Sequence, residues 1–121
     1  MEAKQTRLSG SLILRPAGRV DMGNAEAFKE LLLRVLAEAK TALVLDLAEL
    51  EYISSAGLRA IMIASRAAKS GGVALGVAAM QPVVAEIFAI SRFDLVFPCF
   101  ASCREALARL APDALAGFDA L

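Results

Sequence analysis

No histidine and no tryptophan occur among the 121 residues. Without histidine, a Ser–His–Asp triad is excluded. Cys99 and Cys103 form a CxxxC with no second pair, so a zinc site is not indicated. They read as two small, partly buried thiols in a reducing compartment. Six phenylalanines and one tyrosine are too few for a base-stacking platform. Lys+Arg and Asp+Glu balance at 13 each with no long run of either sign, and nucleic acid normally requires a basic face. No nucleic-acid partner is therefore expected. There is also no Gly-x-Ser-x-Gly elbow and no Gly-x-x-x-x-Gly-Lys loop. Glu49 and Glu51 are neighbours in a short connection with no evident acid/base partner. These absences point away from an enzyme and towards a binding module.

Long apolar runs are missing too, although hydrophobic residues make up 58% of the chain. The best stretch, Val73 to Ile90, is interrupted by Gln81, Pro82 and Glu86, whereas a spanning helix needs about 20 largely apolar residues. Much of the apolar count is alanine, which suits helix packing. No basic segment with a cleavage site opens the chain. The expectation is a soluble, cytoplasmic protein with no membrane insertion. Its 121 residues form one domain, large enough to bury a core unaided.

What is present is organised around Leu43 to Arg66. Leu43-Val44-Leu45-Asp46-Leu47 reads as a buried strand, and Asp46 at its end reads as structural. Ala56 to Lys69 reads as a helix with Leu58, Ile61, Met62 and Ser65 at spacings of three and four. Between them, Glu51-Tyr52-Ile53-Ser54-Ser55-Ala56-Gly57 places two hydroxyls at a helix start. Such a start has unpaired N–H groups and a partial positive charge, which suits an oxyanion. Two serines there are compatible with a covalently attached phosphate. Equally, Ser54 can be a simple cap, with Ser55 as filler.

Along the rest of the chain, Met1 to Arg7 is a candidate edge strand and Ser9-Gly10-Ser11 a turn. Leu12-Ile13-Leu14 is a strand core. Pro16 predicts an edge position or a bulge for it, and Gly18-Arg19-Val20 continues it. Asn24 is placed to cap a helix whose face is Phe28, Leu31, Leu32, Val35, Leu36 and Ala39. Gly71 is the expected left-handed stop of the Ala56 helix, and Val73 to Ala78 reads as a strand. Pro82 opens a short helix with Val84, Ile87 and Phe88 inward. Asp94 to Phe97 reads as a short strand, and Ser102 to Glu105 as a capping box for a last helix with Ala106, Leu107 and Leu110 inward. Ala111 to Leu121 is a sparse tail expected to fray or pack loosely. The alternation implies parallel strands with right-handed crossovers after an N-terminal hairpin. The fold class is α/β: a mixed sheet of about five strands with helices mainly on one face.

Tyr52-Ile53-Ser54-Ser55-Ala56-Gly57-Leu58-Arg59, following Leu45-Asp46-Leu47, resembles the signature of the STAS domain. More narrowly, it is similar to the bacterial anti-sigma factor antagonists. Gly18-Arg19-Val20-Asp21 and Arg104-Glu105-Ala106-Leu107 extend the likeness, which covers roughly Leu12 to Leu110. The resemblance implies a single STAS-like domain over residues 1–121, with its core at about 12–110. It also implies that Ser55, two residues before Gly57-Leu58, is a phosphorylation site. Ser54 is then left to cap the helix, and Gly57 to let a kinase approach the backbone. Many members carry Asp-Ser-Ser-Gly at this place. Here Ser54 replaces the acid and Ala56 the second serine, a variation that leaves the site less negative before modification.

Partner-binding roles follow for Asp21, Ser54, Gly57 and Arg59. Asp21 lies where the family keeps an acid near the phosphorylation site, although it also suits an ordinary Asx turn. Arg59, one helical turn after Ser55, is placed to pair with a phosphate or a partner's acid, or to be simply exposed. The implied function is partner switching. The unphosphorylated protein binds an anti-sigma factor serine kinase and so frees a sigma factor, and phosphorylation at Ser55 inactivates it. A PP2C-type phosphatase restores it. The implied cofactors are none of its own, since ATP and Mg belong to the kinase. The rival readings are a STAS scaffold or subunit of a stressosome or lipid-transport complex, and a ligand- or nucleotide-binding STAS module.

Overall fold

A computed structural model describes all 121 residues. The main sheet takes β1 (Ala3–Leu8), β2 (Ser11–Pro16), β4 (Ala42–Asp46), β6 (Ala74–Ala78) and β7 (Cys99–Phe100) in that spatial order. Only the β1–β2 hairpin is antiparallel; the remaining neighbours are parallel. A second, two-stranded sheet pairs β3 (Gly18–Val20) in parallel with β5 (Leu50–Ile53). The helices are α1 (Ala25–Leu36), α2 (Ser55–Ser70), α3 (Pro82–Ile90), α4 (Cys103–Leu110) and α5 (Leu115–Asp119).

Alternation along the strands fills both faces of the sheet. Leu12, Leu14, Leu43, Leu45, Leu75 and Val77 point to one side. There they meet Phe28, Leu32 and Val35 of α1, Leu58 and Ile61 of α2, and Val84 and Phe88 of α3. Ile13, Ala42, Val44 and Ala78 point the other way, against Cys103, Ala106 and Leu107 of α4. Three long helices thus cover one face and the C-terminal segment the other. The fully buried β4 explains why that strand reads as a continuous apolar run.

Several local expectations are corrected. β2 is not an edge strand: β1 lies outside it, and Pro16 is tolerated because it ends the strand beyond the residues paired with β4. Gly18 to Val20 does not continue β2 but forms the separate pair with β5. The Glu49–Glu51 connection is likewise partly strand, because β5 begins at Leu50. The left-handed residue after α2 is Gly72 (φ +73°), while Gly71 has φ −90°. Asp94 to Phe97 is not a strand. Phe93–Leu95 form a 3₁₀ turn, and Phe97 is buried between Phe88 and Phe93, ring centroids 6.2 and 5.5 Å away. The edge strand comes two residues later, after Pro98.

The last eleven residues do not fray. Pro112–Ala114 form a 3₁₀ turn, α5 follows, and Ala111 and Ala114 are buried against the α4 face. Arg104 forks onto Asp119 with two bonds of 3.1 Å. Asp46 has the structural place expected of it. Its carboxylate accepts from Arg15 Nε at 2.8 Å and from the Ala48 N–H at 3.0 Å, so a buried charge is fully partnered.

Candidate functional site

β3 and β5 end side by side, with Val20 opposite Ile53. One further bond, from Ser54 N to the Val20 carbonyl at 2.8 Å, continues the pairing past both strands. The chain then turns into α2 on one side, and on the other into the loop that opens α1. Asp21 and Ser54 therefore leave the two strand ends at the same level.

Ser54 is extended (φ −85°, ψ 171°) and occupies the N-cap of α2. Its Oγ accepts from Gly57 N at 3.2 Å, and its carbonyl accepts from Leu58 N at 2.9 Å. The hydroxyl is thereby committed to one of the helix's otherwise orphaned donors. Ser55 is the first helical residue and is exposed. It borders an open depression of about 500 Å³ shared with Arg59, Met62, Ile63, Arg66 and Phe93. The division of labour expected of the two serines is what the backbone imposes: the extended residue caps and the next one faces out.

Gly57 has a different place from the one expected. It is buried, and a Cβ on it would lie 2.6 Å from Ile53 Cγ1 and 2.7 Å from Val20 Cγ1. The space left by its missing side chain is filled from inside by the two strand ends, so it does not open the surface to an enzyme. Its contribution is to let the first turn of α2 sit directly on β3 and β5.

Asp21 is exposed in a self-bonded loop. Its Oδ1 accepts from Gly23 N at 2.9 Å and Asn24 N at 3.2 Å. Asn24 Oδ1 accepts from Asp21 N at 2.9 Å, and Asn24 Nδ2 donates to the Arg19 carbonyl at 2.8 Å. Asn24 holds the N-cap position of α1, yet its side chain ties the loop rather than capping the helix. Arg19 lies over the Tyr52 ring, 4.5 Å from its centroid, bracing the strand pair from outside. Arg59 is exposed one turn beyond Ser55, and no ion pair within the protein uses it.

Asp21, Ser54, Ser55 and Arg59 thus converge on one end of the molecule, with Gly57 beneath them. Sequence reasoning missed Met22, Ile63, Arg66 and Phe93 around the same end. Arg66 was detectable, since it stands seven residues after Arg59 and so on the same helix face. Met22 and Phe93 arrive from other elements, and no local pattern marks them. No helix is long and apolar enough to cross a membrane.

The family model for the STAS domain matches residues 2–106. BtrV of Bordetella bronchiseptica, a candidate anti-sigma factor antagonist, is 35% identical over 108 residues, covering 89% of this chain and 92% of BtrV. The anti-sigma-F factor antagonist RsfB of Mycobacterium tuberculosis is 32% identical over 100 residues, covering 82% of this chain and 80% of RsfB. Among solved structures, the anti-sigma factor antagonist SpoIIAA of Bacillus in its unphosphorylated form superposes with a TM-score of 0.74. At 17% identity, over 92% of this chain and 97% of that one, the likeness is one of fold.

Proposed function

Because the chain belongs to the STAS domain family, we propose that it is an anti-sigma factor antagonist working by partner switching, with Ser55 as its phosphorylation site. In this reading the unphosphorylated protein binds an anti-sigma factor that is also a serine kinase. Binding releases a sigma factor, phosphorylation ends the binding, and a PP2C-type phosphatase resets the cycle. The protein is the substrate and binding module of the cycle and needs no cofactor of its own; ATP and magnesium belong to the kinase.

One observation carries the proposal. Of the two adjacent hydroxyls, Ser54 is taken up by the helix cap and Ser55 is exposed at the first helical position. The start of α2 has no acidic side chain in its first turn. A phosphate on Ser55 would meet the positive end of the helix, an interaction worth about 0.3–1 kcal/mol at an exposed site. That gain stays within the protein and leaves its fold intact.

Across an interface the sign reverses. Phosphoserine adds about −1.5 to −2 charges at pH 7. Like charges juxtaposed between partners cost several kcal/mol, and a cost of about 3 kcal/mol weakens binding roughly a hundredfold. Repulsion therefore outweighs the helix-dipole gain.

The test is calorimetry of wild type, Ser55→Ala, Ser55→Asp and the phosphoprotein against the purified cognate anti-sigma factor. Ser55→Ala should bind and resist inactivation by kinase and ATP. Ser55→Asp should bind poorly, though less poorly than the phosphoprotein, because it carries less charge. Peptide mapping should find one phosphoryl group, at Ser55. If Ser55→Asp and the phosphoprotein bind as tightly as wild type, partner switching fails and a scaffold role replaces it.

A further inference from the structure

The exposed side of α2 carries Ser55, Arg59, Ile63 and Arg66, spaced four, four and three residues, so all four stand on one face. No acidic residue occurs anywhere in α2, although the chain as a whole is neutral. The cations paired within the protein are Arg7, Arg15, Lys29 and Arg104; Arg59 and Arg66 are not among them. The ridge is flanked on both sides. Towards α1 lies an open depression of about 230 Å³ lined by Met22, Arg59, Ile63 and the Lys29–Glu26 ion pair among others. On the far side lies the 500 Å³ depression shared with Phe93. Met22 is 84% exposed and Ile63 37%. The result is a strip with an unpaired arginine at each end and apolar surface between and beside them. Clustered apolar exposure bordered by charge marks an interaction surface.

We propose that this strip is the specificity-determining docking surface for a partner segment that presents two carboxylates flanking an apolar side chain. Seven residues of helix separate Arg59 from Arg66, so the carboxylates should stand about 10 Å apart. The inference rests on the partner-switching reading and names the chemistry that the anti-sigma factor must offer. Charge complementarity selects the occupant: a helix that carries Arg59 and Arg66 unpaired on one face and no carboxylate of its own attracts and orients an acidic surface. The apolar centre then slows its departure.

The same arrangement gives phosphorylation a second effect. Ser55 and Arg59 are four residues apart, the spacing at which opposite charges pair on a helix. A phosphate on Ser55 therefore engages Arg59 within the protein and removes it from the partner's reach. The mark repels the partner's carboxylate and also occupies that carboxylate's counter-ion.

Stopped-flow association and dissociation with the purified cognate anti-sigma factor, over a range of salt, test the assignment. The variants are Arg59→Gln, Arg66→Glu, Ile63→Ser and, on the exposed side of α4, Arg109→Glu, each checked for a wild-type melting curve. Arg66→Glu should slow association by about tenfold or more, and both arginine variants should flatten its salt dependence. Ile63→Ser should speed dissociation and leave the salt slope alone. Arg109→Glu should match wild type. If both arginine variants associate at the wild-type rate with the wild-type salt slope, the docking surface is wrong while partner switching stands. If wild type itself does not bind the anti-sigma factor, both readings fall. If the arginine variants lose binding to a fluorescent DNA duplex instead, the strip belongs to nucleic acid and the proposal is overturned.

Discussion

Gly57→Ala is the sharpest probe of how the site is built. The added methyl would sit 2.6 Å from Ile53 Cγ1 and 2.7 Å from Val20 Cγ1, with Ile53 Cδ1 at 3.2 Å. Neither neighbour can swing aside: both side chains are at most 1% exposed, and the clashing carbons lie one bond from a Cβ. Overpacking of this kind costs about 1–3 kcal/mol. Two contacts under 3.0 Å against buried walls put this site in the upper half of that range. Replacing glycine by alanine within a helix returns about 1 kcal/mol through propensity, so the net loss should be about 1–2 kcal/mol. Urea denaturation with an m-value of about 2 kcal/mol/M would register this as a midpoint lowered by about 0.5–1 M. The clash also has an address. Val20→Ala in the same chain should recover part of the loss, giving a favourable coupling in the double-mutant cycle, since the two positions touch. A Gly57→Ala protein as stable as wild type, or more so, would refute the close approach of α2 to the strand ends.

Ser54→Ala should lose about 1 kcal/mol, the usual value of an N-cap hydroxyl, and lower the melting temperature by a few degrees; Ser55→Ala, which removes no cap bond, should leave it unchanged. The pH dependence of stability should reveal Cys103, whose thiol is pushed up to about 12, first by burial and then by its neighbour Asp46. A folded-state value above the unfolded one means stability that is intact below pH 9 and lost as pH rises towards 12. Cys103→Ala should therefore decline less steeply than wild type over that window in denaturant titrations. Truncation after Leu110 should destabilise the protein far more than Asp119→Ala, because it uncovers the α4 face that Ala111 and Ala114 help to close, whereas the Arg104 pair is exposed.

The parts of the fold that can be read from the sequence are those whose environment repeats along the chain. β4 is buried on both faces and reads as an apolar run; α1 is buried along one stripe and reads with the helical period. β5 escapes because Leu-Glu-Tyr-Ile is short and carries a charge between its buried ends. Phe97 misleads for the opposite reason: its burial comes from Phe88 and Phe93 packing around a turn, contacts that leave no period. The tail looks patternless because its only buried residues are Ala111 and Ala114, at either end of a single tight turn, and α5 after it buries none. At the site, the placements of Ser54 and Ser55 are legible because a helix start admits one extended cap and then a helical residue. Gly57 is legible as a special position but not in its direction. Whether its missing Cβ faced in or out depended on where Val20 and Ile53 came to rest, thirty-seven and four residues away in the chain.

The bond from Ser54 to the Val20 carbonyl, together with the cap onto Gly57, holds Ser55 at a place where two strands and a helix all end. A residue displayed from such a junction is already in position for an enzyme. No segment must unfold to expose it, and none must refold once a group is added. If Ser55 is phosphorylated as proposed, the time taken to write or erase the mark would be set by the concentrations and turnover of the enzymes that do so. Under the partner switching proposed above, the protein would add no delay of its own, and its response would follow the kinase-to-phosphatase ratio of the moment.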